Sequence, residues 1–73
     1  MTEEIDARGL RCPLPVLRLR KRLAGAAPGA RVALIADDPM AAIDVPHFCA
    51  EAGHRLEATE AQDDHTRFTV RKG

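Results

Sequence analysis

Aromatic side chains are nearly missing from this chain. Tryptophan and tyrosine are absent, and Phe48 and Phe68 are the only phenylalanines among 73 residues. Without exposed rings there is no platform on which successive nucleic-acid bases could stack. An excess of one charge is lacking too. Eleven Lys and Arg balance eleven Asp and Glu, for a formal net charge of zero. That excludes a binder held to phosphate by bulk attraction, so no direct nucleic-acid partner is expected. Cysteine is scarce: Cys12 and Cys49 stand far apart, and no C-x-x-C spacing occurs. Small secreted domains with thin cores are usually stapled by several disulfides, so this pattern favours the reducing cytosol. Long apolar runs are missing as well. The longest, such as Val32–Ala36, fall far below the roughly 20 residues of a membrane helix. The start Met1-Thr2-Glu3-Glu4 is acidic where a signal peptide is basic. The expectation is a cytoplasmic protein with no membrane attachment.

What is present fits one small globular domain spanning residues 1–73. Hydrophobic residues make up 45% and charged residues 30%, an ordinary folded composition. A chain this short buries only about 60% of its unfolded surface, so a thin core is expected. Glu3–Ala7 alternates around Ile5 as a first strand, and Gly9 breaks it. Pro13–Ala24 reads as a helix with Pro in its first turn and Gly25 behind it. Val16, Leu19 and Leu23 share its core stripe, with Arg18 and Arg22 opposite. Arg31–Ala36 is apolar on both faces and belongs in the middle of a sheet. Asp44 reads as the N-cap of a second helix, with Pro46 in its first turn, Val45, Phe48, Cys49 and Ala52 inward, and Gly53 as the stop. Arg55–Ala61 and Thr66–Lys72 flank Gln62-Asp63-Asp64-His65 as a hairpin. The order β-α-β-α-β-β predicts an α/β (α+β) two-layer sandwich, a four-stranded mixed sheet with both helices on one face.

The chemistry concentrates in Leu10-Arg11-Cys12-Pro13-Leu14-Pro15, where a loop meets the first helix. With Cys12 at the N-cap, the unpaired amides and aligned dipoles of the helix tip favour an anion. A lowered thiol pKa is the consequence, which makes a cysteine nucleophilic near neutral pH. Arg8 and Arg11 add positive potential. Pro13 and Pro15 lack N–H groups, so the tip is cheaper to desolvate against a partner. No base accompanies Cys12: His47, His54 and His65 lie far along the chain. No Gly-rich phosphate loop or Ser/His/Asp signature is present. A reactive cysteine without a surrounding constellation points to a carrier that other proteins load and empty.

Gly9-Leu10-Arg11-Cys12-Pro13-Leu14-Pro15-Val16, followed by Arg20-Lys21, resembles the signature of the TusA family of sulfur carriers, also called SirA-like. The resemblance runs on through Pro28-Gly29, Ala36-Asp37-Asp38-Pro39, Asp44-Val45-Pro46 with Phe48-Cys49, Gly53-His54 and Val70-Arg71-Lys72. It implies the same β-α-β-α-β-β sandwich, similar in shape to the C-terminal domain of translation initiation factor 3. It implies that Cys12 receives sulfane sulfur as a persulfide from a cysteine desulfurase or another persulfide donor. The sulfur then passes to a downstream acceptor protein, for tRNA 2-thiouridine, molybdenum-cofactor assembly or sulfur oxidation. Gly9, Cys12, Pro13 and Pro15 are its motif residues. Leu14 stands where the thiolation branch often has an acidic residue. No cofactor is implied, and the activity is of sulfurtransferase type.

Plainer readings apply elsewhere. Cys49 shares the inward stripe of the second helix and reads as an inert core thiol. His47, Cys49 and His54 lack the spacing of a metal site, so no metal is expected. Asp37-Asp38-Pro39 reads as a turn that caps the next element, and the resemblance adds that Asp38 touches a partner. Arg18, Arg20, Lys21 and Arg22 read mainly as a solvated face. Leu14 and Leu17 project clear of the core stripe beside Cys12 and, with Arg20 and Lys21, form the expected docking surface. A carrier that docks through its helix tip is expected to be monomeric when free. Two rivals are a redox or regulatory thiol switch at Cys12, and an RNA- or protein-interaction module.

Overall fold

A computed structural model describes residues 2–73. Strand β1 (Glu3–Asp6) leads to helix α1 (Leu14–Ala24), strand β2 (Arg31–Ala36), helix α2 (Ala41–Ala52), strand β3 (Arg55–Ala61) and strand β4 (Thr66–Arg71). The sheet order is β1-β2-β4-β3. β2 runs parallel to β1, whereas β4 runs antiparallel to both β2 and β3. The sheet is therefore mixed, and β2 lies inside it as its two apolar faces require. No helix among the described residues is long and apolar enough to cross a membrane.

Cross-strand rows build the core. Ile5 lies opposite Leu34, which lies opposite Phe68. Val32 meets Val70, and Val70 meets Leu56. Leu19 and Leu23 of α1 and Ala41, Val45 and Cys49 of α2 join these strands in one buried cluster. Both helices therefore cover the same face of the sheet. The other face is held differently. Arg67 of β4, opposite Ile35, reaches Glu4 and Glu60 on either side, and Ala33, opposite Thr69, is fully buried.

Three local expectations need correction. On α1 the inward positions are Pro15, Leu19 and Leu23, with Val16 only half-buried. The row spaced by four residues faces the sheet squarely, and Val16 sits at its edge. On α2 the row is Ala41, Val45 and Cys49, while Ala52 is exposed. The next member of that row would be Gly53, where the helix has already ended with φ 79°. Finally, α2 begins before Asp44. The Asp38 carboxylate accepts the Met40 N–H at 3.2 Å, and its carbonyl accepts the Ala41 N–H at 3.0 Å. Pro39 supplies a fixed φ, so Asp38-Pro39 forms the turn that leads into α2, whose N-cap position is Met40. Asp44 instead lies within the first turn, and Pro46 sits inside the helix.

Cys49 is only 3% exposed, and burial pushes its thiol pKa up. Cys49→Ala should lose about 1 kcal/mol through the small cavity it leaves. In the folded parent, iodoacetamide should label Cys12 and spare Cys49 until denaturant is added. Equal labelling of the two thiols would place Cys49 outside the core.

Candidate functional site

Because β1 and β2 are parallel, the loops that leave them emerge at one edge of the sheet. One loop carries Cys12 into α1, and the other carries Asp37 and Asp38 into α2. Gly9 turns the first loop with φ 83°, a left-handed conformation open to glycine at little cost. That turn aims the Gly9 amide at both Asp37 carboxylate oxygens, at 3.0 and 3.1 Å. Three residues on, the Cys12 amide donates to the Asp38 carboxylate. The Cys12 thiol donates to Asp44 Oδ2 at 2.7 Å. Three carboxylates from the second loop and helix thus hold the cysteine loop by two amides and the sulfur.

This arrangement overturns the expected electrostatics. Pro13, not Cys12, is the N-cap of α1, so the sulfur sits one residue outside the helix. Pro13 and Pro15 have no N–H, and the Leu14 amide donates to the Arg11 carbonyl at 2.8 Å. Few donors remain to stabilise a thiolate. The two arginines do little for the sulfur: Arg8 grips Asp6 through two hydrogen bonds, at 3.0 and 3.1 Å, and the charge of Arg11 acts on Asp38. The hydrogen bond to Asp44 pushes the Cys12 thiol pKa up. Partial desolvation and the negative charges of Asp44 and Asp38 push it the same way. Cys12 therefore rests as a neutral thiol, where the sequence points to a stabilised thiolate.

The other expected residues separate into two groups. Leu14 and Leu17, each 48% exposed, line an open groove between α1 and β1 with Leu10, Arg18 and Lys21. Arg20 is exposed but does not line that groove; Arg18 takes the place expected of it. Asp38 lies instead on the far side of Cys12. The histidines are engaged elsewhere: His47 with Glu51, His65 with Asp64, and His54 with the Gly73 amide and the Phe48 ring. Among the described residues no three His, Cys, Asp or Glu side chains cluster as metal ligands.

A family model described as sulfurtransferase TusA matches residues 3–72. The chain belongs to the TusA family. Similarity in three dimensions agrees with this membership. A SirA-like protein from Desulfitobacterium hafniense has a crystal structure matching this chain with a TM-score of 0.84 at 28% identity. The match covers 100% of this chain and 99% of that one. Membership of the TusA family brings a general role in carrying sulfur within a relay of partner proteins.

Two features of the site escape sequence reasoning. Asp44 reads in the sequence as a helix cap, which conceals its contact with a sulfur 32 residues away. An Asp-Pro start of α2 at Asp38-Pro39 leaves Asp44 inside the helix, free for another purpose. Met40 and Ile43, at 44% and 63% exposure, form a second bare apolar pair beside Asp44 that the helical stripe hides.

The amides of Cys12 and then Met40 hold the Asp38 carboxyl below its ordinary range, helped by Arg11. A depressed folded pKa stabilises the fold above the ordinary carboxylate range, and the benefit is lost as pH falls through the lowered value. Asp38→Asn should therefore melt below the parent at pH 7, with the difference closing as the pH is brought to about 2. An unchanged gap across that range would show that the carboxylate charge contributes nothing.

Proposed function

We propose that Cys12 is the sulfur-bearing residue of this TusA-family carrier. Its sulfur attacks the outer sulfur of a donor protein's persulfide. A new S–S bond forms at Cys12, the donor's S–S bond breaks, and the donor cysteine leaves as thiolate. Release runs the other way: an acceptor thiolate attacks the terminal sulfur, and Cys12 leaves. Sulfane sulfur changes hands with no net oxidation. A cysteine desulfurase or another persulfide donor loads the protein in the cytoplasm, and a second protein unloads it. Formation of 2-thiouridine in tRNA is one fate open to that sulfur.

One observation carries this reading. Of the two free thiols, Cys12 is exposed and Cys49 is buried. The exposed thiol lies in the Cys-Pro-Leu-Pro motif, between an apolar groove on α1 and the bare Met40–Ile43 pair on α2. Exposed apolar side chains flanking a reactive atom suit a protein–protein contact. Leu14, Leu17 and Lys21 supply such a contact from α1, with Arg20 at its margin and Asp38 opposite. The cations steer the encounter and the apolar pair supplies affinity. A redox switch closed between the two cysteines finds no support, because Cys49 lies in the core.

Incubation with a cysteine desulfurase, pyridoxal phosphate and cysteine, followed by whole-protein mass spectrometry, tests the assignment. The parent should gain one DTT-labile sulfur on Cys12. Cys12→Ser should gain none while melting within a few degrees of the parent, since the serine hydroxyl can still donate to Asp44. Sulfur acceptance that survives in this variant would move the chemistry to Cys49.

The docking face is tested separately. Leu17→Asp should slow sulfur transfer from the donor tenfold or more, roughly 1.4 kcal/mol, and leave alkylation of Cys12 by a small probe nearly unchanged. Transfer at the parental rate by the folded variant would place the contact at the Asp37-Asp38-Pro39 turn.

A further inference from the structure

The surroundings of Cys12 are lopsided in charge. Toward α2 and the loop before it stand three carboxylates, on Asp37, Asp38 and Asp44, each bonded to the cysteine loop. Among the described residues no Lys, Arg or His forms an ion pair with any of the three. Two cations stand nearby without pairing to them: Arg11 acts on Asp38, and Arg8, bonded to Asp6, feels Asp37 at longer range. Toward α1 the balance is positive: Arg18 and Lys21 line the groove without ion-pair partners among the described residues, while Glu3 and Arg22 there pair with each other. The sulfur lies at the border, and its hydrogen goes to the acidic side. A thiol that donates to a carboxylate gains a hydrogen bond only while protonated, and it must ionise beside a like charge. Thiolate, not thiol, attacks sulfur. The contact at 2.7 Å therefore restrains the very atom that the carrier reading requires to react.

We propose that Asp44 holds Cys12 as a slow, neutral thiol in the free protein, and that a sulfur donor releases it by placing a lysine or arginine against the Asp44 carboxylate. Only the second half, release by the donor, rests on the carrier reading. In the complex, the donor's cation pairs with Asp44 and the S–H···O bond is given up. The thiol proton passes to water, and the thiolate attacks the donor persulfide. The donor's departing thiolate takes a proton from water in turn, so charge and protons balance. These carboxylates, which form no ion pair within the described residues, then read as the acidic half of a docking surface whose other half, on α1, is basic. Such a surface accepts its partner in one orientation. Outside a complex, the thiol is shielded from adventitious electrophiles and oxidants by its own protonation.

The test compares two rates on the intact chain. The pH profile of iodoacetamide labelling at Cys12, read by mass spectrometry, reports the thiol's ionisation without any partner. Sulfur uptake from a desulfurase reports its reactivity within a complex. In the parent, the labelling midpoint should lie above that of free cysteine, about 8.5. Asp44→Asn should lower that midpoint and speed labelling at pH 7 about threefold or more, and its sulfur uptake should rise by a clearly smaller factor or fall. Asp44→Ser, which keeps a polar group in the first helical turn, provides the same comparison should the first variant fold poorly. A parental midpoint at or below that of free cysteine, or an unchanged profile in the variants, overturns the restraint. Equal acceleration of labelling and uptake overturns release by the donor. Absence of sulfur uptake by the parent, with the shifted labelling profile intact, would sink the carrier reading and leave the restraint standing.

Discussion

Carboxylates that accept hydrogen bonds from the Cys12 loop organise the functional end of this molecule. Asp37 takes the Gly9 amide, Asp38 takes the Cys12 amide, and Asp44 takes the thiol. Ala7 is tied to β2 through the Ile35 carbonyl, but beyond it the segment leading to α1 is held to the rest of the fold largely by these acids. Asp38 also serves α2: it holds the Met40 amide in the turn that starts the helix while gripping Cys12. Starting one helix and positioning the cysteine before the other is a single act by one side chain. Parallel pairing of β1 and β2 is what makes it possible, because only then do both loops leave the sheet at the same edge.

Anchoring by acids has an electrostatic consequence that runs against the usual picture of a cysteine near a helix start. Two effects of the prolines oppose each other. They make the tip easier to bring against a partner, and they remove the amides that would have stabilised an anion there. With Leu14 N–H already engaged by Arg11, the acids dominate. Helix polarity alone is a poor guide to thiol reactivity when the first turn is built from residues without donors.

Much of the architecture is legible in the sequence. Arg31–Ala36 and Arg55–Ala61 are found with the bounds that alternation and apolar runs assign, since strand patterning depends on near neighbours. The inward placement of Cys49 comes from helical spacing for the same reason. Family resemblance and local motif both draw attention to Cys12. Distant pairs are the hidden part. Asp44 meets Cys12 across 32 positions, and no periodicity encodes that meeting. The start of α2 is misjudged in the sequence because Asp38-Pro39 and Asp44-Val45-Pro46 both resemble helix starts, and the bonds from the Met40 and Ala41 amides to Asp38 decide for the first. Helical spacing sets Arg20 at the edge of the Leu14–Leu17 side, but the groove opens toward β1 and is lined by Arg18, because the position of β1 is a tertiary fact that spacing does not carry.

Burial of Cys49 beneath α2 also bears on stoichiometry. If sulfur rides on Cys12 as proposed, a chain whose described residues offer one reachable thiol is a single-berth vessel. Its cargo is all or none, and it cannot accumulate a reserve while waiting for a recipient. Throughput in such a scheme grows with the number of copies and the frequency of their encounters, never with the capacity of any one copy. A thin core that can hide one thiol while an outer loop displays the other is enough to impose that limit.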